Sequence, residues 1–269
     1  MKFRHTLVAA SLAALAFVPA VASADMVVIQ DIVGSWSLAN PPPPSTTIVN
    51  GNPLSTISWG VPAFPNTVQS SYTFQSLGSV AINVNPPPAS PNTEFGIFTH
   101  NNFPIFTPFL QSVRLTVTAD IVVAGQDEGT KTFFADFTHD ETPNGGPPGG
   151  PFTGTCPFGG PPNNSGPGPN GVGINDNGCA DRVLVTNVSG GGTFMVGGVT
   201  YTLSFTGFSQ DNGTTVSSAF FTEEDNVNIA GLFAKVVATT PTVPEPGSLA
   251  LMGLAVLGAA GALRRKSTK

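Results

Sequence analysis

From Val113 to Val123 the chain alternates without a slip, with Val113, Leu115, Val117, Ala119, Ile121 and Val123 on one side and Arg114, Thr116, Thr118 and Asp120 on the other. A period of two is the pattern of a strand with one face buried and one face wet. The alternation returns in Val199, Tyr201, Leu203 and Phe205 against Thr200, Thr202, Ser204 and Thr206. Shorter versions lie at Tyr72 to Leu77, Thr130 to Phe137, Val183 to Val185, Val216 to Phe221 and Val227 to Val237. Between the two ends of the chain no apolar stripe has helical spacing. About ten strands joined by Gly and Pro turns predict an all-β domain, a single β-sandwich or jelly-roll-like fold.

Two proline runs, Pro41 to Pro44 and Pro86 to Pro88, cannot lie in central strands, so they are expected to be connections at sheet edges or between strands. From Pro143 to Gly178, 21 of 36 residues are Gly or Pro, which predicts one long loop. Both cysteines, Cys156 and Cys179, fall at that loop. In an exported chain an even pair is expected to form a disulfide, here pinning the loop toward a strand that starts near Arg182.

Export is predicted from the first residues. Lys2 and Arg4 precede an apolar core from Leu7 to Val18 and the small-residue run Ala22-Ser23-Ala24. That order is a secretory signal peptide, residues 1–24, to be removed by signal peptidase between Ala24 and Asp25. The opposite end, 243–269, holds Val243-Pro244-Glu245-Pro246, an apolar run of 17 residues from Gly247 to Leu263, and a basic end with Arg264, Arg265, Lys266 and Lys269. As a helix the apolar run rises roughly 25 Å, enough to cross a thin hydrocarbon core and leave the basic end in the cytoplasm. The expected organisation is therefore a signal-peptide helix, a β-sandwich over 25–240 containing the loop 143–178, and a transmembrane helix over 247–263.

Six of the ten Lys and Arg residues lie in these two ends, and only Arg114, Lys131, Arg182 and Lys235 remain in the middle against at least fifteen Asp and Glu. So acidic a domain excludes nucleic acid and anionic membrane surfaces as partners, since both need clustered basic residues.

The order of the tail, a Pro-Glu-Pro tripeptide followed at once by an apolar helix and an Arg-rich end, resembles the PEP-CTERM sorting signal of bacterial surface proteins. The resemblance implies that an exosortase-type transpeptidase or protease of the inner membrane recognises Pro244, Glu245 and Pro246 and removes the anchor. The chain would then be held transiently in the membrane before it reaches the cell surface or is secreted. A second echo lies in the middle, where Phe98-Thr99-His100-Asn101-Asn102 is repeated in kind by Phe137-Thr138-His139-Asp140-Glu141. Thr99, His100 and Asn102 resemble the Thr-His-x-Asn signature of the THxN family of PEP-CTERM proteins, and His139, Glu141 and Asn144 are similar to the rest of that pattern. The family implies location and fold, with no established biochemical role.

Three chemistries are open to His100 and His139. They could hydrogen-bond neighbouring loops through backbone and Asn partners, form a mixed imidazole and carboxylate metal site with Asp140 or Glu141, or act as an acid and base pair. Adjacent residues at a strand end point opposite ways, so at most two of His139, Asp140 and Glu141 can serve one site. The structural reading is the one adopted, with no catalytic residue, metal or cofactor expected. The oxygen-rich runs Asn175 to Gly178, Asp211 to Gly213 and Glu223 to Asn226 lack a calcium loop's closing Glu and read as turns. No nucleophile elbow or phosphate loop is present. Trp36 and Trp59 are expected to pack in the core or at its rim rather than stack on sugars.

The expected function is a non-catalytic, exosortase-sorted protein of the cell surface or extracellular matrix, with extracellular polysaccharide as a further partner. The alternative is a carbohydrate-binding or metal-dependent carbohydrate-active module that uses His100 and His139. The two separate on whether the imidazoles converge in an open concave pocket.

Overall fold

The alternation that begins at Val113 forms a strand, Ser112–Val123, whose odd positions are all buried. The computed structural model describes residues 25–42, 44–63, 65, 67–84, 89–142, 155–160, 167–168, 171–172, 174–175, 178–189, 192–239, 253 and 255. The signal peptide, the Pro86 to Pro88 run, the sorting tripeptide and most of the Gly and Pro loop lie outside them. Among the described residues no helix is long and apolar enough to cross a membrane.

In chain order the strands are β1 (Asp25–Asn40), β2 (Thr46–Val49), β3 (Leu54–Trp59), β4 (Val61–Pro62), β5 (Ser70–Ser76), β6 (Val80–Val84), β7 (Thr93–Asn102), β8 (Ile105–Phe106) and β9 (Ser112–Val123). There follow β10 (Gln126–Asp140), β11 (Pro167–Gly168), β12 (Gly171–Val172), β13 (Asp181–Ser189), β14 (Thr193–Val196), β15 (Val199–Ser209), β16 (Ala219–Thr222) and β17 (Asn226–Thr239). One sheet has six strands in the order β16-β13-β10-β9-β1-β6, and the other seven in the order β14-β15-β17-β7-β5-β3-β2. Every pairing is antiparallel, and β4-β8 and β11-β12 make two small ladders. The fold is an all-β sandwich, as the alternation predicts, with more strands than the alternation alone marks.

The strands that alternation misses have physical reasons. In β1 the ladder to β9 slips between Gln30 and Val33, where Asp31 adopts φ 53°, so its apolar positions change phase midway. In β7 the inward positions after Phe98 are His100 and Asn102, both fully buried, so the polar residues read as a turn although the backbone stays extended. The Thr99-His100-Asn101-Asn102 segment is therefore the end of a central strand.

Two hairpins follow from turn chemistry. β9 joins β10 through Ala124 (φ 49°) and Gly125 (φ 82°), and β14 joins β15 through Gly197 (φ 58°) and Gly198 (φ 82°). Two consecutive positive φ values give the tight turn whose twist matches antiparallel strands.

The core between the sheets is aromatic. Trp36 of β1 packs against Tyr72, Phe98 and Phe137, and its indole N–H donates to the Ser55 carbonyl at 3.0 Å. The Ser55 hydroxyl in turn donates to the Gly34 carbonyl at 2.7 Å, tying β3 of one sheet to β1 of the other. Phe74 lies against Gly34 and Gly96, where a Cβ would come within 2.2 and 2.3 Å of its ring. Both tryptophans are buried, Trp59 completely, so neither offers a face to a sugar.

Candidate functional site

The two Phe-Thr-His echoes meet face to face. With a period of two, Phe98 and His100 of β7 point inward from one sheet, and Phe137 and His139 of β10 point inward from the other. Phe98 stacks on Phe137 with centroids 5.6 Å apart and planes at 17°, and His100 meets His139 edge to face at 5.2 Å. The repeat in the sequence is thus one inward-facing pair of residues supplied twice, once by each wall of the sandwich.

The registers of the six-stranded sheet place acids beside the imidazoles. β10 and β13 pair His139 with Val183 and Asp140 with Arg182, which brings Glu141 level with Asp181, and β13 and β16 pair Asp181 with Thr222. Asp140 points away and forms an ion pair with Arg182 at 2.7 Å, as the opposite directions of adjacent residues require. His139 Nε2 lies 3.0 Å from Glu141 Oε2 and 3.7 Å from Asp181 Oδ2. Glu224, in the turn between β16 and β17, is 1% exposed, and its carboxyl oxygen lies within 4.8 Å of those of Glu141 and Asp181. That corrects its reading as an ordinary turn residue. Asp211 does belong to a turn: its carboxylate accepts from the Ser209 hydroxyl at 2.6 Å and the Thr215 N–H at 2.9 Å.

From the seven-stranded sheet, Tyr72 stands opposite His100 in register, and its hydroxyl lies 2.5 Å from His139 Nδ1. Trp59 stacks on His100 at 5.7 Å with planes at 23°. His100 Nδ1 lies 2.8 Å from the Thr222 hydroxyl, while its Nε2 has no hydrogen-bond partner among the described residues. Asp181 Oδ1 accepts from the Thr142 backbone N–H at 2.7 Å.

The electrostatics follow from burial. Removal from water lowers His100 strongly, with His139 adding to the effect, and it lowers His139 against the opposing pull of Asp181 and Asp140. It raises Glu141 to about 8 and Asp181 to about 8, Asp181 with a further push from Glu141. Glu224 and Tyr72 are also raised, first by burial and then by Asp181 and Glu141. Burial thus disfavours charge on both partners of the contact between His139 and Glu141. The basic side chains nearest in register are engaged outside the core, Arg182 with Asp140 and Arg114 with Asp136.

Sequence reasoning singled out Thr99, His100, Asn102, His139 and Glu141, and the structure brings His100, His139 and Glu141 into one buried centre. Asn102 is buried at the end of β7, and Thr99 faces the other side of its sheet. Asn144, Ala24, Pro244, Glu245 and Pro246 lie outside the described residues, and Asp25 opens β1. Asp181, Tyr72 and Thr222 were missed, and Trp59 and Glu224 were read only as a core residue and a turn residue, because their approach to the centre depends on strand registers that no local motif reports. The partners of the His100 and His139 rings are the side chains of Thr222, Tyr72 and Glu141, not the loop backbone and Asn groups expected of them.

The cysteines serve this centre indirectly. Cys156 and Cys179 form a disulfide with Cα atoms 5.2 Å apart. Next to it the Thr142 hydroxyl donates to the Cys179 carbonyl at 2.6 Å, and Asn175 Oδ1 accepts from Ala180 N–H at 2.9 Å. Phe158 packs on Phe221 and under the Arg182 guanidinium. These contacts fix the entry to β13, whose first residue is Asp181.

Neither imidazole opens on a concave pocket: His100 is 0% and His139 6% exposed. A cavity of about 310 Å³ does lie between β15 and β16, lined from Phe208 to Phe220, and it includes none of the residues of this centre.

Residues 242–266 match the family described as the PEP-CTERM protein-sorting motif, a span that takes in Pro244, Glu245, Pro246 and Arg264 to Lys266. The match lies in the tail and carries no information on the Thr99, His100 and Asn102 signature. No curated protein matches the chain.

Proposed function

For a chain that carries a PEP-CTERM sorting motif, and so is exported and sorted through an exosortase, we propose that the sandwich is a non-catalytic domain displayed at the cell surface or in the extracellular matrix. The observation that supports this reading is the sealing of its most reactive side chains. Acid and base work on an external substrate requires the proton-transferring atoms to come within hydrogen-bond reach of that substrate. Here both imidazoles are buried between the two sheets, packed against Trp59 and Tyr72. A carbohydrate-active role for His100 and His139 would need an opening that neither residue has.

The signal peptide and the tail give the route: signal peptidase acts at Ala24 and Asp25, the apolar run 247–263 holds the chain transiently in the inner membrane, and the exosortase acts at Pro244-Glu245-Pro246. The acidic domain is then suited to an extracellular matrix, where its net negative charge maintains solubility. The test is cell fractionation of a strain expressing the full chain with Pro244-Glu245-Pro246 intact or replaced by three alanines. The intact protein is expected in the surface or extracellular fraction and the variant in the inner membrane. Identical distribution of the two would refute exosortase sorting through this tripeptide.

A further inference from the structure

The polar atoms of the buried centre divide into two sets. The outer set is held in place: Thr222 on His100 Nδ1, Tyr72 on His139 Nδ1, and the Thr142 N–H on Asp181 Oδ1. The inner set comprises His100 Nε2, Asp181 Oδ2 and Glu141 Oε1, all buried and none with a hydrogen-bond partner among the described residues. Leaving a buried donor or acceptor unpaired costs folding free energy, and His100 and Asp181, which carry two of these atoms, belong to one converging group that calls for a ligand to satisfy them together. The ligand atoms of His100, His139 and Asp181 lie within 4.8 Å of one another, as do those of Glu141, Asp181 and Glu224, so Asp181 belongs to both groups.

We propose that this centre is a structural metal site, in which His100, His139 and Asp181, with Glu141 beside them, hold one divalent first-row transition cation of the zinc type. Two ligands on a tetrahedral ion at 2.0–2.2 Å sit roughly 3.4 Å apart. The separations of His139 Nε2 from Glu141 Oε2 and Asp181 Oδ2, 3.0 and 3.7 Å, bracket that value. Two imidazoles select against calcium and magnesium, which take oxygen ligands, and in favour of ions such as Zn²⁺ and Co²⁺.

The outer contacts are those a metal-bound histidine needs. A His100 Nδ1–H donating to the Thr222 hydroxyl leaves Nε2 with its lone pair directed to the ion. A His139 Nδ1–H donating to the Tyr72 oxygen does the same for its Nε2, which exchanges its hydrogen bond to Glu141 for a bond to the ion. The ion also supplies positive charge to a cluster of acids with no Lys or Arg ion-paired to it among the described residues, since Arg182 is engaged with Asp140 outside it. Because the ligands come from β7 of one sheet and from β10 and β13 of the other, the ion would join the two walls of the sandwich. Its burial implies capture during folding and slow loss afterwards.

The test uses the exported protein with its disulfide intact. Metal content is first measured on protein purified without added metal, and the expected result is about one transition-metal ion per chain. The protein is then stripped with chelator in denaturant and refolded with Zn²⁺, Co²⁺, Ca²⁺ or chelator alone. Zn²⁺ should raise the Tm above that in chelator, Ca²⁺ should not, and Co²⁺ should give d–d absorption of a low-coordinate nitrogen and oxygen site. His100→Gln and Asp181→Asn are expected to lower Co²⁺ affinity by at least ~100-fold, on the scale by which even the supporting contacts of metal sites act. Asp140→Asn, which alters an acid facing outward, should leave it unchanged. Native protein without transition metal that also gives no Co²⁺ spectrum would overturn the proposal, as would Co²⁺ binding unaffected by both ligand variants or a preference for Ca²⁺. If the ligand variants fail to fold, the metal content and Co²⁺ spectrum of the wild type still decide.

Discussion

Replacing Phe98 and Phe137 by alanine, singly and together, probes the meeting of the two echoes. Both rings are fully buried, and besides each other they share Trp36 and Phe208 as neighbours, while Phe98 also touches Tyr72 and Phe220. Truncating a buried Phe removes its transfer free energy and leaves a cavity, so each single variant should lose about 3–5 kcal/mol. The stacked pair at 5.6 Å should contribute a coupling of about 0.5–1.5 kcal/mol beyond burial, so the double variant should lose less than the sum of the singles by that amount. Shared neighbours that relax into the cavity enlarge the coupling in the same direction. Urea unfolding followed by tryptophan fluorescence measures it, since Trp36 packs on both rings. If the losses simply add, or each single variant costs under about 1 kcal/mol, the two Phe residues are not opposed across the core and the alignment of the echoes is wrong.

Four other outcomes follow from the same structure. Gly96→Ala would force its Cβ to within 2.3 Å of the Phe74 ring, and a loss of about 1–3 kcal/mol is expected in urea unfolding, whereas unchanged stability would mean the ring is free to move. Ala124→Asn puts a residue suited to positive φ at the first turn position of the β9-β10 hairpin and should raise stability by a few tenths of a kcal/mol, up to about 1; a lower Tm would contradict that turn. Alkylation of the native protein should label no thiol, and reduction should expose Cys156 and Cys179 and remove about 3 kcal/mol; two reactive thiols before reduction would disprove the bridge. Asp136 is held below the ordinary carboxylate range mainly by its hydrogen bond to Arg114, so the stability it contributes is present above its unfolded pKa and lost as pH falls through its folded one. Asp136→Asn should therefore flatten the acid limb of the pH and stability curve below about pH 4, and an unchanged limb would show that the pair contributes nothing there.

The sandwich was legible because β9 keeps one phase from end to end and the first half of β15 does the same. In β9 each inward residue is apolar, as are Tyr201, Leu203 and Phe205 of β15 before its slip at Gly207, so there period two reports the backbone directly. In β1 the bulge at Asp31 changes the phase, and in β7 polar residues face the core, so local pattern and backbone part company. The Phe-Thr-His echo pointed to His100 and His139, and the rule of opposite directions limited His139, Asp140 and Glu141 to two at one site; it is the structure that selects Glu141 and turns Asp140 outward to Arg182. Asp181 was invisible: it precedes a short apolar run, and nothing local distinguishes it from an acid at a strand entry. Its place opposite Glu141 and Thr222 is set by the registers of β10, β13 and β16, which are properties of pairing and not of sequence spacing. Glu224 was hidden in the same way, inside an acidic run that reads as a solvated turn.

Mass spectrometry of both termini of the protein isolated from the surface fraction of its native host tests the account most directly. An N-terminus at Asp25 and a C-terminus at or before Pro246 are predicted, because the first requires removal of the signal peptide and the second removal of the tail within the matched sorting motif. Surface protein that still carries Arg264 and Arg265 would contradict exosortase processing and make the apolar run a permanent anchor.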